Sequence, residues 1–264
     1  IEGLSDSELS RAVMPFPSLE VDPYRAITPH LDVASARAKV LSSLARGSAK
    51  IVIASAAALL PRVASPQRIL EATRDIVLGD TLSPNDLGAL LADAGFVPED
   101  PVDEHGEFCI RGGVVDFFPA GEVYPIRVEF LDDLVESLRQ FDPGTQRSVT
   151  MVDRVAVVPL RENFESVSEN LNGAWSVDRD SNLLEFITGP TSIKTFVSHF
   201  EECERQATIL ANRVNESYVS ATSRGESPPE PLAIMLSWTQ MKEHLEAGSR
   251  FETLGLDDPN SFQR

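Results

Sequence analysis

From Leu31 to Ala45 apolar positions recur every three or four residues, with Val33, Ala36, Val40, Leu41 and Leu44 on one helical face, and Gly47 closes the pattern. Ahead of it, Phe16-Pro17, Asp22-Pro23 and Thr28-Pro29 predict an irregular, proline-spaced approach. After it, Lys50 to Ala54 is a short continuous apolar run of the kind buried in a parallel sheet. A helical turn from Ser55 to Leu60 follows, stopped by Pro61. The pattern then changes near Ala64-Ser65-Pro66. Asp75 to Leu78 reads as a strand, and Ser83-Pro84 opens a helix that runs to Ala94-Gly95, because serine caps the first turn, proline fits it and glycine closes the end. Beyond it Glu107 to Arg111, Val114 to Phe118, Arg127 to Phe130, Val135 to Phe141 and Val152 to Val158 read as short strands. Tight turns such as Gly112-Gly113, Asp132-Asp133 and Asp142-Pro143-Gly144 separate them, which predicts a mostly antiparallel meander with one helix covering a face.

The last part returns to the first pattern. Leu183 to Ile187 reads as a strand, Gly189-Pro190-Thr191 as a turn, and Ile193 to about Val214 as a long helix with Phe196, Val197, Phe200, Cys203, Ala207 and Leu210 on one side. A linker rich in Ser, Pro and Glu spans Ser223 to Pro231, a helix runs from Ser237 through Leu245, and Phe251 to Leu256 is a last strand. The expected class is α/β in two outer pieces, residues 1–65 and 161–264, with an inserted strand-rich α+β domain at residues 66–160. Insertion is the simplest topology, since the outer pieces share a class that the middle lacks.

Composition narrows the function. With 264 residues, 42% of them apolar, the chain can bury real cores. Its apolar runs fall far short of the roughly 20 residues needed to span a membrane, and nothing at the start resembles a signal peptide. Cys109 and Cys203 lack metal-ligand spacing, so neither a disulfide framework nor a zinc site is indicated and a cytoplasmic setting fits. Opening on Ile1, the chain reads as a piece of something longer. The net charge of -18 argues against a phosphate-backbone partner. Residues 1–65 carry seven basic and six acidic side chains (+1), 66–160 seven and eighteen (-11), and 161–264 nine and seventeen (-8). All seven basic residues of the middle segment are arginine, whose rigid bidentate fork suits it to anchoring a protein partner.

Motifs for chemistry are sparse. No Gly-rich loop ends in Lys-Ser or Lys-Thr, and Gly47-Ser48-Ala49-Lys50, the nearest approach, lacks the first Gly and the hydroxyl after Lys. His30, His105, His199 and His244 share no metal-like spacing and read as surface or capping residues. Val114-Val115-Asp116 could end a nucleotide-site strand, but without a phosphate loop its Asp reads as a maker of turn hydrogen bonds. Asp103-Glu104-His105 with Glu107 reads as a solvated turn, and Asp178, Asp180 and Asn182 lack the Gly and distal Glu of a calcium loop. No catalytic, metal or cofactor site is expected.

The blocks His105-Gly106-Glu107-Phe108, Arg111-Gly112-Gly113-Val114-Val115-Asp116-Phe117-Phe118-Pro119, Pro125-Ile126-Arg127-Val128-Glu129-Phe130, Glu136-Ser137-Leu138-Arg139 and Phe141-Asp142-Pro143-Gly144-Thr145-Gln146-Arg147 resemble the domain shared by the excinuclease component UvrB and the bacterial transcription-repair coupling factors. Phe16-Pro17, Asp22-Pro23-Tyr24, Thr28-Pro29-His30 and Ile51-Val52-Ile53-Ala54-Ser55 are similar to the opening domain of the coupling factors. The resemblance implies a degenerate helicase-like α/β domain without a working nucleotide site, and an insert that docks the excinuclease component UvrA. Other domains of the same longer protein are further partners on this view. It also implies that the contact is carried by Arg111, Arg127 and Leu131, next to Phe130, on the Gly112, Gly113, Asp116 and Pro119 framework. Leu131 departs from the aromatic usual at that place in the family.

The residues themselves leave two readings of the arginines. Arg111 ends a strand at Gly112-Gly113, where its guanidinium can project to a partner carboxylate. Arg127 and Glu129 alternate with Ile126, Val128 and Phe130, so one face is presented and the other buried. Alternatively both arginines pair inside the domain, with Asp116, Glu129 or Asp133. The rival functions are a fragment of an ATP-dependent, UvrB-like DNA helicase with residual nucleotide or DNA binding, and an interaction module for another partner.

Overall fold

The computed structural model describes residues 12–25, 27, 29–160, 181–186 and 194–251. The proline-spaced opening contains a strand that its prolines hide. β1 (Val13–Phe16) pairs in parallel with β2 (Ile51–Ala54), Val13 opposite Ile51, and the connection between them is α1 (Leu31–Ala45). His30 caps α1 by accepting the Asp32 N–H. This helix is buried on two sides: Val40 and Leu41 pack with Met14 and Phe16, whereas Ala38 enters the core of the insert. Arg37, fully buried, donates to the Pro17 carbonyl at 2.8 Å and lies over the Phe16 ring, so its charge is spent within the fold.

Two short helices follow, α2 (Ala56–Leu59) and α3 (Pro66–Ala72). In the sequence α3 shows only as a change of composition, yet Ser65 caps it and Pro66 sits in its first turn, the same signature as at Ser83-Pro84. β3 (Arg74–Val77) then leads into α4 (Pro84–Asp93), capped by Ser83 as expected. The insert is a six-stranded sheet in the order β4 (Val97–Pro98), β5 (Glu107–Arg111), β6 (Val114–Phe117), β7 (Ile126–Leu131), β8 (Leu134–Phe141) and β9 (Ser148–Met151), antiparallel throughout except between the first two. α4 covers one face. Leu87 and Leu91 reach into a core of Phe108, Val115, Phe117, Val128, Val135 and Leu138, and Gly88 lets the helix approach so closely that a Cβ there would stand 2.3 Å from Ile110 Cδ1.

The strand expected at residues 152–158 forms as β10 (Arg154–Val157), but it pairs antiparallel with β3, Val155 opposite Ile76, and not with the meander, whose last strand, Ser148–Met151, was not expected. The strands that enter and leave the insert are thereby joined in one ribbon. Leu183–Phe186, expected to be extended, forms a 3-10 turn instead. Asn182 Oδ1 accepts the Leu184 N–H, and Ser181 and Asn182 both donate to Glu185, so local polar side chains capture a backbone that a strand would have needed. Ile187 and the Gly189-Pro190-Thr191 turn lie outside the described residues, as do Ile193 and most of the strand expected at 251–256.

β11 (Phe196–Ser198) takes the start of the expected long helix, and α5 (Phe200–Ser223) runs nine residues past its expected end. α6 (Pro231–Ile234), α7 (Trp238–Glu246) and β12 (Ser249–Phe251) complete the described chain, with β12 parallel to β11. Residues from both ends of the chain share two cores. Leu183 and Phe186 join Phe16, Leu41 and Val63, and Tyr24 and Leu60 join Ala207, Val214, Met235 and Met241. The Tyr24 hydroxyl donates to the Pro229 carbonyl at 2.9 Å.

Truncation of Leu87 to Ala, which removes a fully buried contact between α4 and the sheet, is expected to lower stability by about 3 kcal/mol, measured by urea denaturation. Burial, with Tyr218 and Asp22 alongside, pushes the Tyr24 phenol up to about 12. In the unfolded chain it ionises near pH 10, so the raised value stabilises the fold fully below about pH 10 and this contribution is lost as pH rises towards 12. Absorbance titration at alkaline pH is expected to show a late-ionising tyrosine that Tyr24→Phe abolishes.

Candidate docking face

The sheet face opposite α4 is where the expected site residues converge. Strand alternation puts Ile126, Val128 and Phe130 of β7 towards the core and Arg127, Glu129 and Leu131 on the other side. Register then aligns a row across five strands: Cys109, Asp116, Arg127, Arg139 and Met151. A second row runs through Arg111, Val114, Glu129 and Ser137. At the lower end of this face Phe118 and Phe141 pack with Val102 and Cys109 in a small apolar cluster, and the Arg127 guanidinium sits 4.6 Å from the Phe141 ring centre.

Asp116 organises the charges. With only 1% of its side chain exposed, it accepts Arg127 Nε on Oδ1 and Arg127 Nη2 on Oδ2, each at 2.7 Å, and Arg111 Nη2 on Oδ2 as well. Two guanidiniums are therefore fixed by one carboxylate. The bond to Asp116 raises the Arg127 pKa further above its usual range, so this group stays charged. Arg111 also reaches Asp100 at 3.2 Å, and Arg127 reaches the Gln146 amide oxygen at 3.3 Å. Of the two readings left open by the residues, pairing within the domain is what the geometry displays, on Asp116 and not on Glu129 or Asp133. Arg111 does not project free, although 44% of its side chain remains exposed, against 20% for Arg127. Nor does Asp116 make turn hydrogen bonds: β6 holds it in mid-sheet between two arginine-bearing strands, whose guanidiniums compensate its burial.

The remaining expected residues fall around this pair. Gly112 and Gly113 form the two-residue turn from β5 to β6, Gly112 at φ +60°, and the Gly113 carbonyl accepts the Phe130 N–H at 2.8 Å. Phe130 is half-buried against the core, while Leu131 lies on the arginine side and is 58% exposed. Pro119 is buried beyond the end of β6. The Asp103-Glu104-His105 stretch is a turn in which the Glu107 carboxylate accepts the Asp103 and Glu104 N–H groups, each at 2.9 Å, and His105 stacks on Phe118.

Three members of the face go beyond the residues that sequence singles out. Arg139 pairs with Glu129, which also accepts the Ser137 hydroxyl at 2.8 Å, and Met151 is 62% exposed at the edge. Alternation alone puts Ser137 and Arg139 on one face, but their alignment with Glu129 and Arg127 depends on a bulge between Glu129 and Phe130. A cleft of about 320 Å³ lies at the junction of α1 with the insert, near Lys39, His105 and Gly121, and none of the arginines lines it. Among the described residues no cluster of His, Cys, Asp and Glu is arranged to hold a metal, and no helix is long and apolar enough to cross a membrane.

An open sheet face with paired arginines and exposed aliphatic side chains, away from that cleft, has the composition of a protein-contact surface. Residues 75–163 match the family model of the UvrB interaction domain. Among its relatives are the transcription-repair-coupling factors of Haemophilus influenzae, 34% identical over 59% of this chain and 14% of that protein, and of Escherichia coli, 34% identical over 57% and 13%. The UvrABC system protein B of Kosmotoga olearia is 27% identical over 57% of this chain and 22% of its own length. Residues 75–163 are thus similar to the UvrB interaction domain, and the chain is similar over more than half of its length to a part of transcription-repair-coupling factors. The alignments span 14% and 13% of the first two of those factors.

Replacing Asp116 by Ala leaves two guanidiniums without their shared counter-ion and opens a hole in the sheet face. A loss of about 3 kcal/mol in urea unfolding is expected, at the low end for a broken buried pair because Arg111 keeps Asp100 and solvent.

Proposed function

We propose that this chain is a non-catalytic docking module of transcription-coupled nucleotide excision repair, which binds the excinuclease component UvrA through the face that carries Arg111, Arg127 and Leu131. The observation that carries this reading is the Arg111–Asp116–Arg127 arrangement on an accessible sheet face inside the UvrB interaction domain. Side chains already immobilised by a buried carboxylate lose little further freedom on association, and a partner carboxylate can approach the exposed side of Arg111. Leu131 contributes aliphatic surface beside them.

The outer pieces, on this reading, form a single degenerate helicase-like α/β domain in a cytoplasmic protein, with residues 66–160 inserted into it. Two features support that: the cores shared by both ends of the chain, and the β3–β10 ribbon that brings the entry and exit of the insert together. The sequence contains no run with the glycine spacing and Lys-Ser or Lys-Thr ending of a phosphate loop, which fits a module without nucleotide hydrolysis.

Calorimetric titration of the chain with UvrA tests the proposal, using the parent beside Arg111→Ala and Leu131→Ala. Arg111→Ala is expected to weaken binding by about 2 kcal/mol, roughly thirtyfold, and Leu131→Ala by less, with thermal melts showing both variants folded and Arg111→Ala the less stable of the two. A parent chain that does not bind would sink the function. Undiminished binding by both folded variants would move the site elsewhere.

A further inference from the structure

Arg139 occupies the position beside Arg127 in the row that crosses the sheet, one strand nearer the exposed edge, with Met151 next in line. Its circumstances differ from those of Arg127 in one respect that matters for binding. The partner of Arg127 is buried and cannot leave, whereas Glu129, the partner of Arg139, is 33% exposed and is itself steadied by Ser137. This pair is partly exposed on both sides, so exchange of its carboxylate for another costs less than it would at the buried Asp116. Arg139 is also incompletely satisfied: its Nε is buried and meets no hydrogen-bond acceptor among the described residues, while 29% of its side chain remains exposed to an arriving carboxylate.

We infer that Arg139 is a further cationic anchor of the docking face, screened in the free protein by Glu129, and that the partner brings a carboxylate to β8 in addition to the one that meets Arg111. This rests on the docking reading above and extends it. The occupant is the facing surface of UvrA, carrying acidic side chains opposite the arginine row and an apolar side chain near Leu131 or Met151. Charge complementarity argues for it, since Arg111, Arg127 and Arg139 line this face and Glu129 is the carboxylate among their partners there that can yield. Glu129 then acts as a competitor: it keeps the free face neutral, and it repels the incoming carboxylate until Arg139 changes partner.

The test is a titration of UvrA with the intact chain and its Arg139→Ala, Glu129→Gln and doubly substituted forms, each checked by urea unfolding. Arg139→Ala is expected to weaken binding about tenfold, and Glu129→Gln, which keeps the acceptor for Ser137 but removes the competing charge, to tighten it severalfold. The double variant should bind like Arg139→Ala. If Arg139→Ala binds like the parent while Arg111→Ala is weakened, the inference fails and the docking reading stands. Weakening by Glu129→Gln to the extent seen for Arg139→Ala would show the pair to be a clamp between β7 and β8, and would also overturn it. Failure of the parent to bind removes both.

Discussion

A carboxylate with 1% of its side chain exposed is costly to keep ionised unless positive charge and hydrogen bonds replace its lost water. Asp116 meets that condition with two guanidiniums from the strands on either side, and much of the insert is arranged around the requirement. The Gly112-Gly113 turn aligns β5 with β6 so that Arg111 can reach back to Asp116, and the register of β6 with β7 sets Arg127 directly opposite it. Phe141, from β8, closes the underside of Arg127 with an aromatic face. Fixing one buried charge therefore also fixes the orientation of both arginines, which is the feature a docking surface needs before its partner arrives.

The face needs a rigid support as well as a rigid arrangement. α4 supplies it from behind, where Leu87 and Leu91 are fully buried and the absence of a side chain at Gly88 lets helix and sheet close on Ile110 and Phe108. α1 supplies it from the side: Ala38 enters the insert's core, Lys39 donates to the Gly121 carbonyl at 2.8 Å, and Ser35 accepts the Gly121 N–H at 3.3 Å. Because the same helix packs Val40 and Leu41 against β1 and its surroundings, the sheet is tied to the outer body through shared side chains and hydrogen bonds.

Where the elements were legible in the sequence, a local signal was strong enough to act alone. α1 and α4 carry their caps and spacing within the segment, and the meander of β5 to β8 is marked by tight turns at Gly112-Gly113 and Asp132-Asp133. The misses are of another kind. β1 exists because β2 pairs with it, β10 leaves the sheet because β3 offers a partner, and the extended pattern at Leu183–Phe186 yields to the polar side chains of Ser181, Asn182 and Glu185. The docking face divides in the same way. Alternation along β7 was enough to put Arg127, Glu129 and Leu131 on one side, but which acid each arginine meets depends on cross-strand register, including a bulge at Glu129/Phe130 that no local pattern marks.

The pairing of all three arginines on the face bears on selectivity. A bare cluster of three guanidiniums would attract any polyanion, nucleic acid included, in proportion to its charge. Here the cations stand beside Asp100, Asp116 and Glu129 on a chain whose net charge is -18, so long-range attraction is small. On the docking reading proposed above, a ligand gains only by matching positions: it must reach the exposed side of Arg111 and cover Leu131. Binding of that kind is decided by the geometry of a few contacts, which favours one shaped protein surface over anions in general. Leucine at position 131 is consistent with such a site, since an aliphatic rim excludes water from the neighbouring ion pairs while adding no charge of its own.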